Sequence, residues 1–520
     1  MSKLAWKEID WTLVQKRLSR QQRRVYKASM EGKRQIVRAL QHRIIGSLDA
    51  RLLAVKRVTT ENRGQNILDM DSVKYISHRN KIQLAYRLKI DGKSNYVRKF
   101  YISRIDVKKK RYCDFDISIV EDKAKQMLAK LALEPEWEAI FEPNSYGFRP
   151  GRSYHDAIAS VFLSLRIESR FVLNVDIHKC FEEINHDKLI AKFDTFDQME
   201  NQLKAWLKAG IMVGFNNDFH RASKDLQGTP QREILSPLLA NVALHGLENC
   251  LNDCYGNLNY SISSDPSFKG KLHRNKEIGF SRYADNFIVT APKFTDIIEI
   301  EKRVDKWLTQ KAGLKLAKSK TKIVNSIYGF EFLGFQIISI KTGQNKKYKV
   351  MIRPSKESKT RIIQLTRKII QENKSVSSYT LIVLLSNIII GWANYFRFVE
   401  CQKDFSKLEY IIFQQIRAWA FRRKSKGLRS RETLKEKYYP SGNTYVFKGK
   451  QYQNNWILMG NIRDKKGNIK ENFLPKMRWI SSAQNINIKA KASPYKRNHL
   501  HWDKMNSKYL NQASIIKLVK

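Results

Sequence analysis

The chain has 520 residues, 42% of them hydrophobic, and a formal net charge of +48. That length exceeds one ordinary core, so two or three domains are expected, and the apolar content excludes a disordered chain. The charge costs self-repulsion in the compact state and calls for a large polyanionic partner, with nucleic acid the natural candidate and an anionic membrane surface the blander one.

No run of 18 or more apolar residues occurs, so no bilayer span and no membrane partner are expected. The first residues, "MSKLAWKEIDWTLVQKRL", have acidic side chains and no apolar core, unlike a secretory signal. Cys113, Cys180, Cys250, Cys254 and Cys401 include no C-x-x-C pair, which argues against a zinc knuckle and fits a reducing compartment. Cys250 and Cys254, a helical turn apart near His245, read as small core residues. The abundance of Lys, Asn, Ile and Tyr hints at an AT-rich genome, organellar or bacterial.

In chain order, residues 1–65 keep apolar positions at helical spacing with Arg and Lys between them, which predicts a basic helical extension. "NYVRKFYISRI" alternates like a strand, and "EDKAKQMLAKLALEPEWEAIF" reads as a helix stopped near Pro143. A Gly/Pro loop and a helix follow in "NSYGFRPGRSYHDAIASVFLSL". "FVLNVDIHKCF" predicts a short apolar strand ending at Asp176, and "LSPLLANVALHGLENCLNDCY" a single helix. Residues 280–292 and "YGFEFLGFQI" predict hairpins. From about residue 353 the pattern is helical again, in "SYTLIVLLSNIIIGWANYFRFV" and "FSKLEYIIFQQIRAWAFRRKSKG". Residues 401–520 hold 27 Lys and Arg against 7 Asp and Glu, interleaved with Trp419, Trp456, Trp479 and Trp502. Aromatics among basic side chains suit looped or single-stranded RNA, whose bases can stack.

One constellation carries chemistry. Nucleotidyl transfer uses divalent ions that hold the attacking hydroxyl and the triphosphate in line, and hard ions take carboxylate oxygens. An Asp at a strand end beside a hairpin turn with further carboxylates supplies them. Asp176 and the Asp285–Asn286 turn have that form, with an amide at the last position. Capping and turn roles are the commoner use of such residues.

The blocks around them occur in a telling order: "SYGFRPGRSYHDAI", "DIHKCFEEINHDKL", "GTPQREILSPLLANVALHGLE", "RYADNFIV", "GLKLAKSKTKIV" and "GFEFLGF". They resemble the ordered motifs of group II intron-encoded reverse transcriptase/maturase proteins. "GWANYFR" resembles the maturase region called domain X, and "KASPYKRNHLHW" a segment of the family's C-terminal DNA-binding region. The resemblance implies an α+β fold: right-hand polymerase-like fingers and palm with an antiparallel palm sheet, then a helical thumb/maturase domain and a basic C-terminal region. The implied division is 1–65 basic helical extension, 66–345 fingers and palm, 354–440 thumb/domain X, and 441–520 a nucleic-acid-binding remnant.

By position, the resemblance makes Asp176 and Asp285 metal ligands, with Asn286 a degenerate third. Phe181 matches the aromatic residue against the sugar of the incoming nucleotide. Arg149, Arg152, Gln231 and Lys320 fall in blocks that contact nucleotide or template. Arg397, Arg417, Arg422, Arg423 and Lys424 are candidate RNA contacts. Trp392 and Tyr395 read first as helix packing.

The sequence also departs from the pattern. Asn286 stands where relatives carry a second Asp, and "PQRE" replaces "PQGG", setting Arg232 and Glu233 where glycine permits close backbone approach. Upstream, "RYCDFDISIVEDKAKQ" brings Asp114 and Asp116 in place of a Pro/Gly turn. No Cys follows Cys401, so no Cys- and His-bearing nuclease module is expected. Alterations at three walls of one pocket point to a maturase that binds its host group II intron RNA and promotes splicing, with polymerase activity weak or lost. The alternative is an active RNA-directed DNA polymerase that uses Mg2+ and supports intron mobility, with DNA as a second partner. A homodimer is left open. An organelle is the expected location, plastid ahead of mitochondrion, with bacterial cytoplasm the alternative.

Overall fold

The computed structural model describes residues 5–61, 77–94, 98–104, 111–117, 120–177, 180–209, 234–255, 278–342, 347–423, 431–463, 467–483, 492–496 and 516–519. The chain forms two compact units. One is Met1–Asn325 with Asn487–Asn498, and the other is Ser326–Ile486 with His499–Lys520.

The first unit opens with α1 (Trp11–Met30), α2 (Arg34–Gly46) and α3 (Leu48–Lys56), followed by a π turn and α4 (His78–Arg87). The Asp10 carboxylate accepts from the Thr12 and Leu13 amides and starts α1. Val14, Leu18 and Val25 then form a buried stripe at helical spacing. The opposite face carries Lys16, Arg20 and Arg24, exposed and with no ion pair among the described residues. Strands β1 (Arg98–Arg104) and β2 (Arg111–Ile117) pair antiparallel, with Tyr101 opposite Asp114.

Helix α5 (Val120–Ile140) is buried around most of its circumference and packs against α1, α2 and α3. It continues through Pro135, which has no N–H to give the Leu131 carbonyl one turn back. The buried Gln22 of α1 supplies the missing donor, its Nε2 lying 2.8 Å from that oxygen. Helix α6 (Tyr154–Leu165) starts at a capping box of Ser153 and Asp156.

A four-stranded antiparallel sheet follows in the order β4-β5-β3-β6. Its strands are β3 (Phe171–Asp176), β4 (Gly279–Tyr283), β5 (Asn286–Ala291) and β6 (Lys322–Asn325). Between β3 and β4 the chain makes α7 (Cys180–Glu183), α8 (His186–Phe193), α9 (Asp197–Lys208), α10 (Ser236–Leu244) and α11 (Leu247–Tyr255), and α12 (Phe294–Trp307) follows β5. The single helix expected over 236–255 is two. The break falls at His245–Gly246, where Gly246 has φ +100°, a backbone that L side chains rarely adopt.

The second unit has a three-stranded sheet of β7 (Phe330–Phe332), β8 (Phe335–Thr342) and β9 (Lys347–Pro354). The β7–β8 hairpin sits where the sequence predicts it, but in this unit rather than with the strands that precede it. Then come α13 (Lys356–Glu372), α14 (Ser378–Phe396), α15 (Gln402–Phe421) and α16 (Arg431–Tyr438). By length and composition α14 could cross a bilayer, contrary to the expectation from apolar runs alone. Here Leu381, Ile382, Leu385, Ile389 and Phe396 are buried inside the unit. Strand β10 (Thr444–Phe447) pairs with β11 (Lys450–Gln453) and β14 (Ile516–Val519), and β12 (Met459–Arg463) with β13 (Ile469–Phe473).

Candidate active site

The register of the four-stranded sheet assembles the carboxylates. Asp176, the last residue of β3, lies opposite Asn286, the first residue of β5. Tyr283 also pairs with Asn286, so Ala284 and Asp285 form a two-residue turn. Ala284 has φ +59°, the positive first corner that lets a tight turn follow the twist of its strands. Asp176 is partly open, with its side chain 21% exposed, whereas Asp285 is buried. The Asn286 amide donates to Asp285 Oδ1 at 3.2 Å, and Lys320 Nζ lies 3.0 Å from Asp176 Oδ2. Lys320 reaches there because the Ala317 amide donates to the Asp176 carbonyl and a turn over 317–320 follows. Its own side chain is 61% exposed, so this pair is weakly held and open to an incoming anion.

The donor set is thus two carboxylates and one amide. Among the described residues no group of three or more His, Cys, Asp or Glu comes together. Two carboxylates are a sparse donor set for hard cations, and a pair of divalent ions would be short of negative charge.

Behind the turn is a layer that sequence reading missed. The "SYGFRPG" segment runs along β4: the Tyr146 amide donates to the Arg282 carbonyl at 2.8 Å, and the Arg282 amide to the Asn144 carbonyl at 2.9 Å. A Cβ on Gly147 would stand 2.3 Å from the Ala284 backbone nitrogen, so only glycine lets this segment touch the turn. Asn241 on α10 donates to the Gly147 carbonyl and accepts from Arg282 Nη1, which also donates to the Ala284 carbonyl. Arg282 is fully buried, and Glu142 is its counter-charge at 3.7 Å.

Glu142 explains the break between α10 and α11. Its Oε1 accepts from the Gly246 and Glu248 amides at 2.7 and 3.0 Å, at the opening of α11, where unpaired backbone donors favour an anion. Its Oε2 lies 3.3 Å from His245 Nδ1. Burial alone would raise the Glu142 carboxyl, but His245 and Arg282 hold it below its ordinary value. Glu248 has the opposite fate: burial, then the Glu142 charge, push it up to about 7 against the Asn144 donors. The only advance signal was an arginine inside an otherwise apolar strand.

The remaining expected contacts divide sharply. Arg149 and Arg152 do not face a solvent-open nucleotide site, because both side chains are only 2% exposed. Arg149 grips both oxygens of Glu138 and donates to the Glu142 and Ser145 carbonyls. Arg152 donates to the Pro143 carbonyl, and burial beside Arg149 lowers it to about 10. A loop folded this tightly leaves carbonyls without strand partners, and these arginines satisfy them. Phe181 is likewise in the core, 1% exposed. Gln231, Arg232, Glu233 and Lys424 lie outside the described residues, and of Asp114 and Asp116 only the backbone on β2 is described. In the second unit, Arg423 donates to the Ser375 and Val376 carbonyls and stacks over Trp419, so it closes a helix connection. Arg397 is half-buried, Arg422 is exposed, and Arg417 lines a cavity. Tyr395 donates to the Leu333 carbonyl and stacks on Phe335, and Trp392 packs on Phe396 and Phe405, which is core packing. The "SPY" segment belongs to the first unit rather than to the C-terminal region: the Tyr495 hydroxyl lies 3.0 Å from Glu134 Oε2, and its ring faces Tyr26.

Comparison with known proteins gives this arrangement its class. The family model for the N-terminal domain of reverse transcriptase matches residues 6–88, that for reverse transcriptase (RNA-dependent DNA polymerase) matches 107–337, and that for the group II intron maturase-specific domain matches 359–439. The chain is a reverse-transcriptase-related protein with a maturase-specific domain. It belongs to the group II intron-encoded reverse transcriptase/maturase family.

Relatives include the group II intron-encoded protein LtrA of Lactococcus lactis, 28% identical over 48% of this chain and 48% of that protein. An uncharacterized 91 kDa protein in the cob intron of Schizosaccharomyces pombe is 26% identical over 56% of this chain and 42% of that one. Maturase-like protein 1 of Euglena gracilis is 24% identical over 78% and 79%. The matches to the first two span about half the length of those relatives or less.

Proposed function

We propose that this protein is a group II intron maturase that binds its host intron RNA and promotes folding and splicing, with polymerase chemistry weak or lost. The observation that carries the reading is the maturase-specific match at 359–439, joined to a turn followed by the amide Asn286 in place of a second carboxylate. In this reading the four-stranded sheet is the palm, the RNA supplies the splicing centre, and the protein neutralises backbone charge at fixed places. The unpaired face of Lys16, Arg20 and Arg24 on α1, and Arg422 at the end of α15, are the surfaces offered to RNA. Residues 354–440 are the thumb/domain X. An organelle, plastid ahead of mitochondrion, is the proposed compartment on composition alone.

A second reading, an active RNA-directed DNA polymerase, is favoured by one observation: Asp176 ends the strand beside the hairpin whose turn carries Asp285. In that case these two carboxylates would hold Mg2+, which supplies charge stabilisation to phosphoryl transfer. Lys320 would turn from Asp176 to a phosphate. Primer extension on an RNA template with Mg2+ separates the readings. Weak or absent synthesis is expected, and robust synthesis that disappears in Asp176→Ala would overturn the first reading.

A further inference from the structure

The second unit contains a cavity of about 530 Å³ that none of the expected site residues except Arg417 foresaw. Its size falls among pockets that enclose a compact organic ligand. One wall is α15, where Tyr410, Phe413 and Arg417 share a face at helical spacing. The facing wall carries Tyr439 and Trp456. Trp456 has φ +62°, a backbone that is costly for a bulky residue and is tolerated where surrounding structure imposes it. Its ring meets Phe413 edge-on at 5.8 Å and Tyr439 at 5.5 Å, yet 38% of the residue stays exposed. Tyr410 is 65% exposed.

Cations predominate around this aromatic box. Arg417 makes no ion pair among the described residues. Lys435 Nζ sits 5.1 Å from the Trp456 ring centre, again with no acidic partner there. Lys476 lines the cavity as well. The single lining carboxylate, Glu409, is already engaged by the Arg478 side chain at 2.7 Å and its amide at 2.8 Å. The Tyr439 hydroxyl, in a residue only 3% exposed, has no hydrogen-bond partner among the described residues. A buried hydroxyl in that position is costly unless a ligand or water meets it.

We propose that this cavity takes one unpaired RNA base, stacked against Trp456 and Tyr410, with the adjoining phosphates at Arg417 and Lys435. Flat aromatic walls fit a base face, the Tyr439 hydroxyl meets a base edge, and rim cations meet the backbone. A peptide segment would use the apolar walls but leave the unpaired cations without counter-charge. The inference rests on the RNA-binding reading above and specifies a contact within it: the protein reads a bulge or loop, not only the charge of a duplex.

The test uses the full chain and two RNA hairpins, identical except that one carries a single bulged 2-aminopurine. Tyr410→Ala and Arg417→Gln are the variants; Tyr410 is too exposed for its loss to unfold the unit. Wild-type protein should prefer the bulged hairpin and change its 2-aminopurine fluorescence on binding. Tyr410→Ala should weaken the bulged complex by about tenfold and the fully paired one by less than about twofold, whereas Arg417→Gln, at a phosphate, should weaken both. Equal weakening of both hairpins by Tyr410→Ala would make that side chain a backbone contact only and overturn the base site. Unchanged binding of both would also overturn it and leave the cavity to a peptide segment. If wild-type protein binds neither hairpin, the RNA-binding reading itself fails.

Discussion

Arg282 and Glu142 show how much of the turn's placement depends on side chains away from the carboxylates. Removing one partner of a buried pair leaves the other charge uncompensated. Arg282→Met should therefore lower stability by about 3 kcal/mol or more, read from urea unfolding, and a change below about 1 kcal/mol would contradict the network. Glu248 gives a pH signature. Its folded value of about 7 lies above the ordinary carboxyl value of 4.5, so the folded state binds more protons between the two. Its contribution to stability is then highest below about pH 4.5 and declines as pH rises through about 7. Glu142, shifted the other way, loses its contribution only as pH falls below the ordinary carboxyl range. Urea midpoints should drop between about pH 5.5 and 8, and the drop should shrink in Glu248→Gln; an identical drop in both proteins would remove Glu248 as the cause. At this scale the sequence made Asp176, Asp285 and Asn286 legible, because strand ends and two-residue turns have local signatures. It did not show which way an arginine points. Arg149 looked like a ligand contact because Glu138, eleven residues earlier, gives no local sign that it will be its partner.

Helix α5 illustrates the same limit for elements. Its helical pattern is plain in the sequence, although Pro135 lies inside it. What lets the helix continue is Gln22, more than a hundred residues away. Gln22→Leu should keep the volume and leave the Leu131 carbonyl unmet in a buried place. The expected loss is about 1–2 kcal/mol in urea unfolding, and no loss would mean that the carbonyl is satisfied otherwise. The break between α10 and α11 escaped notice for a related reason. Apolar spacing continues across it, and the break combines the positive φ of Gly246 with the distant Glu142 carboxylate that accepts from the Gly246 and Glu248 amides. Both hairpins were legible, since alternation and a short turn suffice to specify them.

For the whole molecule, the charge of +48 was the most direct message of the sequence, and the fold leaves a share of it unpaired on α1 and around the second-unit cavity. Affinity for the host intron should fall steeply and log-linearly with salt while staying above that for an unrelated structured RNA. Equal affinity for the two RNAs would reduce the protein to a nonspecific polycation. The division into two units was only partly legible, because the β7–β9 sheet and the "SPY" segment each group away from their sequence neighbours.

Splicing assistance by a maturase of this kind does not depend on the chemistry of the sheet carboxylates. The most direct test of this is the splicing rate of the host intron at low Mg2+ without protein, with the wild-type chain and with Asp176→Ala. The prediction is a marked acceleration by the wild type that Asp176→Ala retains to within about twofold. No acceleration, or an acceleration abolished in a stably folded Asp176→Ala protein, would contradict it.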